Sequence, residues 1–270
     1  MTNTLPTFED YAALFAAHGD SGAEYLRRHF PRFAATKQRL LSHWKRDAGN
    51  QVLDIGAHWL HQTVLYAIDG FAVTALDLPA TLDIDCVRAL AEAHSIRLLP
   101  NADLEYPRAL KAIPDDTFDI VLFTEVIEHL AFNPVAMWRE IYRVMKPGAR
   151  IVVTTPNYYA LRTRTRQWWR ALRGLGAGVD VEHVLGLHTL GHHWKEYSRR
   201  ELERYFTLLS PDFVCRSFAY VEAYRPSATN RVGTGFVLSL ERMIPFVRPD
   251  LYFEVELTHK AAGIVVEPHW

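Results

Sequence analysis

The chain has only two cysteines, Cys86 and Cys215, too few for a disulfide framework and without metal-ligand spacing. A reducing compartment is the default for such a sequence, and a cytoplasmic protein is expected. Positive charge is not in surplus either. Lys and Arg number 30 against 31 Asp and Glu, a net charge of −1, which argues against a general nucleic-acid binder. No apolar run approaches the roughly 18 residues that a membrane span needs. The opening MTNTLPTFEDY lacks the basic-then-apolar pattern of a secretory leader. Internal repeats and low-complexity segments are absent. What is present is ordinary globular composition, 49% hydrophobic and 23% charged, in a length that suits one α/β domain with additions.

The pattern is organised around FDIVLFTEVIEHL, residues 118–130. Ile120 to Phe123 form a short apolar run without polar alternation, as in a strand buried on both faces of a parallel sheet. Thr124 and Glu125 end it, and the carboxyl ends of such strands are where ligands bind. Val135, Trp138, Ile141, Tyr142 and Met145 then recur at helical spacing. Pro147-Gly148 are expected to stop that helix, and Ile151 to Val153 to start the next strand. Strand, helix and strand make a βαβ unit.

DDTFDIVLFTEVIEHL followed by REIYRVMKPGARIVVTTPN resembles the second half of class I S-adenosylmethionine-dependent methyltransferases. The branch is the ubiquinone/menaquinone type, marked by FD-V-x-x-x-EV-x-EH, then R-x-L-K-P-G-G, then P-N. VLDIG, ending at Gly56, matches the start of that family's first motif. Several pieces in the right order, over roughly residues 48 to 220, make the likeness specific. LxxxIPxxRPxLYFEV near the C-terminus is also similar to methyltransferases found with sugar and cell-surface glycan genes.

The resemblance implies an α/β, Rossmann-like fold: a seven-stranded, mostly parallel sheet with helices on both faces. The expected division is a helical cap over 1–47 and a methyltransferase domain over 48–270, with a lid insertion at about 158–197. The cofactor implied is S-adenosylmethionine, and the acceptor a small molecule or glycan-like group, methylated on oxygen or nitrogen. Carried over position by position, cofactor contacts fall on Asp54, Gly56, Ala57 and His58 in the first loop, and on Asp77 and Leu78 in the second. Asp103 and Leu104 follow at the adenine, and Glu125 in the fourth loop.

The residues support several of these roles independently. A carboxylate at the end of a buried strand is costly unless something polar meets it. Asp54 therefore reads as a cofactor ligand or as a cap for the following helix. Asp77 lies about 20 positions beyond the glycine turn, where a carboxylate suits two ribose hydroxyls. The departure from the family is in the first loop. Its usual glycines two and four positions after Gly56 are here His58 and Leu60. Either the loop takes another path, with His58 or Trp59 over the methionine end, or it has lost the cofactor and left a scaffold. An NAD-dependent dehydrogenase is the other rival, disfavoured because GxGxxG is absent.

His129, His193 and His192 are the candidate acid–base residues, with His129 first because it follows the fourth strand directly. His129 reads equally as a substrate-orienting donor or a histidine satisfied at a helix start. His183, His188, His192 and His193 crowd together, but no cysteine joins them and the spacing fits no familiar site, so no metal is expected. Within HHWKEYSRRELERYF, Ser198 and Glu201 have capping-box spacing.

Two helical regions are ambiguous. Phe8, Tyr11, Leu14 and Phe15, then Phe33, Leu40, Leu41 and Trp44, give amphipathic helices before the first strand. The resemblance implies that such helices cover the substrate side of the cofactor cleft; the alternative is that they simply brace the sheet. In 161–173, Trp168, Trp169 and Leu172 share a side next to a stripe of Arg162, Arg166, Arg170 and Arg173. That helix either contacts a membrane surface or an anionic group, or is a lid with its tryptophans packed inward.

Overall fold

The computed structural model describes residues 5–20, 22–45, 48–174, 178–221 and 239–269. Seven strands form one sheet: β1 Gln51–Ile55, β2 Ala72–Asp77, β3 Arg97–Pro100, β4 Phe118–Thr124, β5 Met145–Pro156, β6 Phe213–Val221 and β7 Asp250–Leu257. Their order is β3-β2-β1-β4-β5-β7-β6. The pairs among β1 to β5 are parallel, and β7 runs antiparallel between β5 and β6. The order reverses between β1 and β4, which opens a ligand crevice at the carboxyl ends of these strands.

The alternation of side chains along β4 shows why a continuous apolar run was needed. Val121 and Phe123 enter one core, with Trp138 and Ile141 of α6 (Val135–Val144) and Leu202 and Phe206 of α9 (Arg199–Leu209). Ile120 and Leu122 enter the other, beneath α1 (Phe8–Ala17), α2 (Ala23–Leu41), α3 (Thr63–Ala67) and α5 (Asp85–Ala93). Each face is thus covered by helices, with period two along the strand. The N-terminal helices share this second core: Tyr11, Phe15, Leu26 and Leu40 are buried against the same sheet face.

Some local expectations are corrected and others met. AEYLRRHF and FAATKQRLLSHWKRD, expected as helical stretches on either side of Pro31-Arg32, join in one 19-residue helix, α2, with Pro31 inside it and its end at Leu41. The helix before Pro147-Gly148 ends at Val144, and both residues lie within β5, opposite a register shift between Phe118 and Ile120. Gly148 there has φ 83°, a conformation open to glycine. The third strand, expected from sequence over Ile96 to Leu99, is β3 at Arg97–Pro100. Ser198 and Glu201 form the capping box in full, each side chain meeting the other's backbone N–H. The polar turn read at 226–235 lies outside the described residues, as does the start of the helix read after it.

Between β5 and α9 the chain makes an excursion carrying α7 (Leu161–Leu172) and α8 (Val181–Gly186). Neither helix has a buried residue. Trp168 and Trp169 are 73% and 64% exposed, which overturns the inward-packed lid. Arg164 and Arg170 turn inward instead, Arg164 to Glu196 at 3.1 Å and Arg170 to Asp180.

Candidate active site

The carboxyl ends of β1 to β4 surround a cavity of about 570 Å³. Every residue assigned above to the cofactor or to acid–base chemistry lines it, except His192.

Gly56, His58 and Leu60 have φ of 76°, 49° and 63°. The loop therefore keeps the left-handed positions at which the family places glycine, and it holds two of them with side-chain-bearing residues. Each costs about 1–3 kcal/mol and persists only where the surroundings over-determine it. Here they do. Gly56 N–H and Ala57 N–H donate to Leu76 O at 2.9 and 3.3 Å, and His58 N–H donates to the Asp77 carboxylate at 2.6 Å. The Leu60 side chain is fully buried in the core beneath α1 and α2. The His58 ring stacks on Trp59 at 4.8 Å, with Tyr25 of α2 at 5.2 Å. Gly56 itself is obligatory, since a Cβ there would meet Val126 Cγ2 at 2.5 Å. The reading in which this loop has lost the cofactor finds no support in its course.

The acids differ in environment. Asp54 is buried and accepts from Thr63 Oγ1 at 2.7 Å. Burial pushes its carboxyl up to about 7, against the Thr63 hydrogen bond and with the Asp77 charge adding to the rise. Asp77 accepts from His58 N–H and Leu78 N–H, both at 2.6 Å, so it shapes the loop as well as facing the cavity. Asp103 is positioned by the buried Asn101, whose Nδ2 donates to Asp103 O at 2.7 Å and whose Oδ1 accepts from Ala109 N–H. Glu125, φ 55°, also lines the cavity in the left-handed region.

The histidines separate. His129 Nδ1 lies 3.1 Å from His192 O, so that nitrogen carries the proton and Nε2 keeps its lone pair. The ring meets His193 edge-on at 4.7 Å. Burial, together with neighbouring His193, holds His129 below the ordinary histidine value. His192 is buried outside the cavity, its Nε2 bonded to His183 O at 2.8 Å, and pins the excursion. The metal expectation set the histidine-rich segment aside as a whole. The structure instead groups Glu128, His129 and His193, whose donor atoms lie within 4.8 Å of one another.

Of the two readings of the N-terminal helices, α2 both braces the sheet and walls the cleft, through residues that the sequence had not singled out for the site. Tyr25, His29, Arg32 and Phe33 all line the cavity, and Arg32 Nη1 meets Glu125 Oε2 at 2.9 Å. Burial, then the charges of Arg32 and Arg28, pushes His29 down to about 3. The one available signal was the apolar face of α2. Glu128 was also unassigned. It is fully buried, and burial and the Glu125 charge hold its carboxyl well above the usual range.

Among the described residues, Arg32 Nε, Glu125 Oε1 and Glu128 Oε1 are buried without a hydrogen-bond partner. All three residues face this cavity. Unpaired buried polar atoms cost about 1–3 kcal/mol each and mark places where a polar ligand belongs. S-adenosylmethionine, with an ammonium, a carboxylate and ribose hydroxyls, offers matching groups.

Comparison with known proteins agrees. The model of a family described as methyltransferase domain matches residues 25–208. The chain is 31% identical over 205 residues to a ubiquinone biosynthesis O-methyltransferase of Caulobacter vibrioides, covering 72% of this chain and 74% of that protein. It is 33% identical over 153 residues to a demethylmenaquinone methyltransferase of Tropheryma whipplei, covering 50% of this chain and 60% of that one. The chain thus spans less than two thirds of the Tropheryma protein's length. A chain of the complex described as "between the Haloferax volcanii Trm112 methyltransferase activator and the putative methyltransferase" aligns with a TM-score of 0.59 at 17% identity. That alignment covers 93% of this chain and 98% of the other. An S-adenosylmethionine-dependent methyltransferase of Mesorhizobium loti aligns with a TM-score of 0.54 at 13% identity, over 82% and 97%. At such identities these two likenesses concern the fold. Matched over most of its length and carrying the family's loops around one cavity, the chain belongs to the class I S-adenosylmethionine-dependent methyltransferases.

Proposed function

We propose that the protein transfers a methyl group from S-adenosylmethionine to an oxygen of a small-molecule acceptor. The observation that carries this is the convergence of Asp54, Asp77, Asp103 and Glu125 on one cavity whose buried polar atoms include unpaired ones. In this reading Asp77 takes the ribose hydroxyls, and Asp103 with the Leu104 amide takes the adenine. Asp54, the backbone of Gly56 to His58, and Arg32 attend the methionine end. The cofactor supplies an activated methyl on a sulfonium, so the protein's task is alignment and removal of a proton.

His129 is our candidate base. Its donated Nδ1–H fixes the ring, and its depressed pKa leaves Nε2 able to accept a hydroxyl proton at neutral pH. Oxygen is preferred over nitrogen because an alcohol needs such a base and because the Caulobacter relative is named as an O-methyltransferase. A glycan-like acceptor remains the alternative within the same chemistry. The division into a cap over 1–47 and a methyltransferase domain over 48–270 with a helical insertion at about 158–197 belongs to this reading, with α2 walling the cofactor end. The α7 helix is read as a contact for a membrane surface or an anionic group.

Isothermal titration with S-adenosylmethionine and, in parallel, NAD tests the core of the proposal. Binding of the first alone is expected. Asp77→Ala should weaken it by about 2–4 kcal/mol, two charge-assisted hydrogen bonds at typical strength. The melting temperature without cofactor should fall as well, because the His58 and Leu78 N–H groups lose their acceptor. Unchanged affinity in the variant would remove Asp77 from the site.

A further inference from the structure

His61, at the end of the first loop, is held by the N-terminal helices and by the turn between them. Tyr11 Oη of α1 donates to the His61 carbonyl at 2.8 Å. Phe15 of α1 lies against the His61 ring at 4.6 Å between centroids, and Tyr25 of α2 stacks on it at 5.6 Å. Asp20, between the two helices, accepts a hydrogen bond from His61 Nε2 at 2.9 Å. Its other carboxylate oxygen accepts from Gly22 N–H at 2.7 Å. A Cβ at Gly22 would meet Trp59 Cζ3 at 2.6 Å, so the corner between α1 and α2 is fitted closely to this loop.

One atom is left over. The His61 side chain is 2% exposed and the residue lines the cavity, yet its Nδ1 is buried with no hydrogen-bond partner. A carboxylate can only accept, so Nε2 carries the ring proton and Nδ1 keeps a lone pair. Burial lowers the His61 pKa against the pull of Asp20, which favours the neutral ring. Leucine or phenylalanine would fill such a position without leaving a polar atom unmatched.

We propose that His61 is a cofactor ligand whose Nδ1 accepts a hydrogen bond from the α-ammonium of S-adenosylmethionine, with Asp20 as the positioning residue that keeps this nitrogen unprotonated. The proposal rests on the methyl-transfer reading. It follows from matching donors to acceptors. The cofactor offers donors at the adenine amino group, the ribose hydroxyls and the ammonium. In that reading Asp103 and Asp77 meet the first two, and His61 shares its loop with Gly56 to His58 at the methionine end. An ammonium has three N–H donors, more than Asp54 alone satisfies. The corner of the helical cap thus acts on the cofactor through one loop side chain.

The test is a cycle of two proteins and two ligands, read by isothermal titration of the full chain. The ligands are S-adenosylhomocysteine, which carries the same ammonium without the transferable methyl, and its deaminated analogue. The proteins are the wild type and His61→Phe, which keeps a ring between Phe15 and Tyr25 and removes both nitrogens. Deamination should weaken wild-type binding about tenfold or more, the scale of one charge-assisted hydrogen bond. In the variant that discrimination should shrink by about tenfold, with affinity for the deaminated ligand unchanged. A variant that weakens both ligands equally would make His61 a shaper of the loop, and one that weakens neither removes it from the site. Either result overturns the proposal, as does a wild type that ignores the amino group. Asp20→Asn gives a second arm should His61→Phe not fold. Its amide can donate to Nε2, which moves the ring proton to Nδ1, so the same loss of discrimination is expected. Discrimination kept at the wild-type level in Asp20→Asn overturns the proposal. A wild type that binds neither S-adenosylmethionine nor S-adenosylhomocysteine sinks the methyl-transfer reading and this proposal with it. Wild-type binding with no coupling in the cycle sinks this proposal alone.

Discussion

The loop at 56–62 and the excursion at 158–194 both carry residues that look misplaced, and the structure treats them in opposite ways. In the loop, a leucine stands where glycine is usual, yet its side chain is wholly buried and its backbone is held by neighbours. In the excursion, two tryptophans on a regular helix have no core to enter. An unusual residue that is packed reports on stability and shape. One that is well ordered locally but left in water points to something outside the chain.

The sharpest break between the two regions is expected at the cavity. His129→Gln should lower turnover about 10²–10⁴-fold with cofactor affinity intact, the usual loss of a general base. The wild-type rate should rise with pH below the ordinary histidine value of about 6.5, because the pKa is held down, and the variant should lack that rise. Chelation should leave the wild-type rate unchanged; a rate that collapses with chelator would make the Glu128, His129 and His193 group a cation site instead.

Next in size is the loop. Leu60→Gly removes a fully buried side chain and should cost about 2–5 kcal/mol by denaturant unfolding, even though it restores the family residue. His58→Gly should be neutral or stabilising by up to about 1 kcal/mol, since it relieves a left-handed backbone at little loss of burial. Cofactor binding should survive both. If Leu60→Gly stabilised the protein, the strain would outweigh the packing and the contrast drawn here would fail.

Asp54 gives a comparable effect with a pH signature. Its carboxyl is raised from 3.8 to about 7 by burial, so the folded state favours the protonated form. That preference stabilises the fold at low pH and is lost as pH rises from about 4 to about 7, up to about 4 kcal/mol in all. Asp54→Asn should therefore melt higher than the wild type at pH 8, the gap closing towards pH 4, while binding cofactor more weakly. Equal melting at pH 8 would mean that the carboxylate is better solvated than its burial implies. The smallest effect belongs to the excursion. Trp168→Ser with Trp169→Ser should shift unfolding by no more than about 0.5 kcal/mol, as exposed positions do.

Much of this was legible in the chain. The apolar runs of β1, β2 and β4, each ending in Asp54, Asp77 or Thr124-Glu125, placed the sheet and its ligand end together. Hydrophobic period and strand-end acids are local signals. Which residues of α2 wall the cavity was not legible, because the meeting of Arg32 with Glu125 is a long-range contact that no local pattern encodes. Nor was the direction of α7. Helical spacing gathers Trp168, Trp169 and Leu172 on one side but does not say whether a core or solvent lies opposite. The placement of His192 outside the cavity follows from a single turn, Thr189–Gly191, that puts its ring under α8.

The excursion leaves and returns at one point: Asn157 bridges Tyr197, and Tyr158 N–H donates to Tyr197 O at 3.0 Å. The Asn157 amide also donates to Phe246 O and Arg248 O, fastening the junction to the chain that leads into β7. A segment clamped at its base in this way is nearly free to change length, because each doubling of a closed loop costs only about 0.6 kcal/mol in chain entropy. The sheet and cofactor loops can therefore stay constant while the part between the clamps is exchanged, so that one catalytic frame can be refitted to a new surface or a new acceptor by altering residues 158–196 alone.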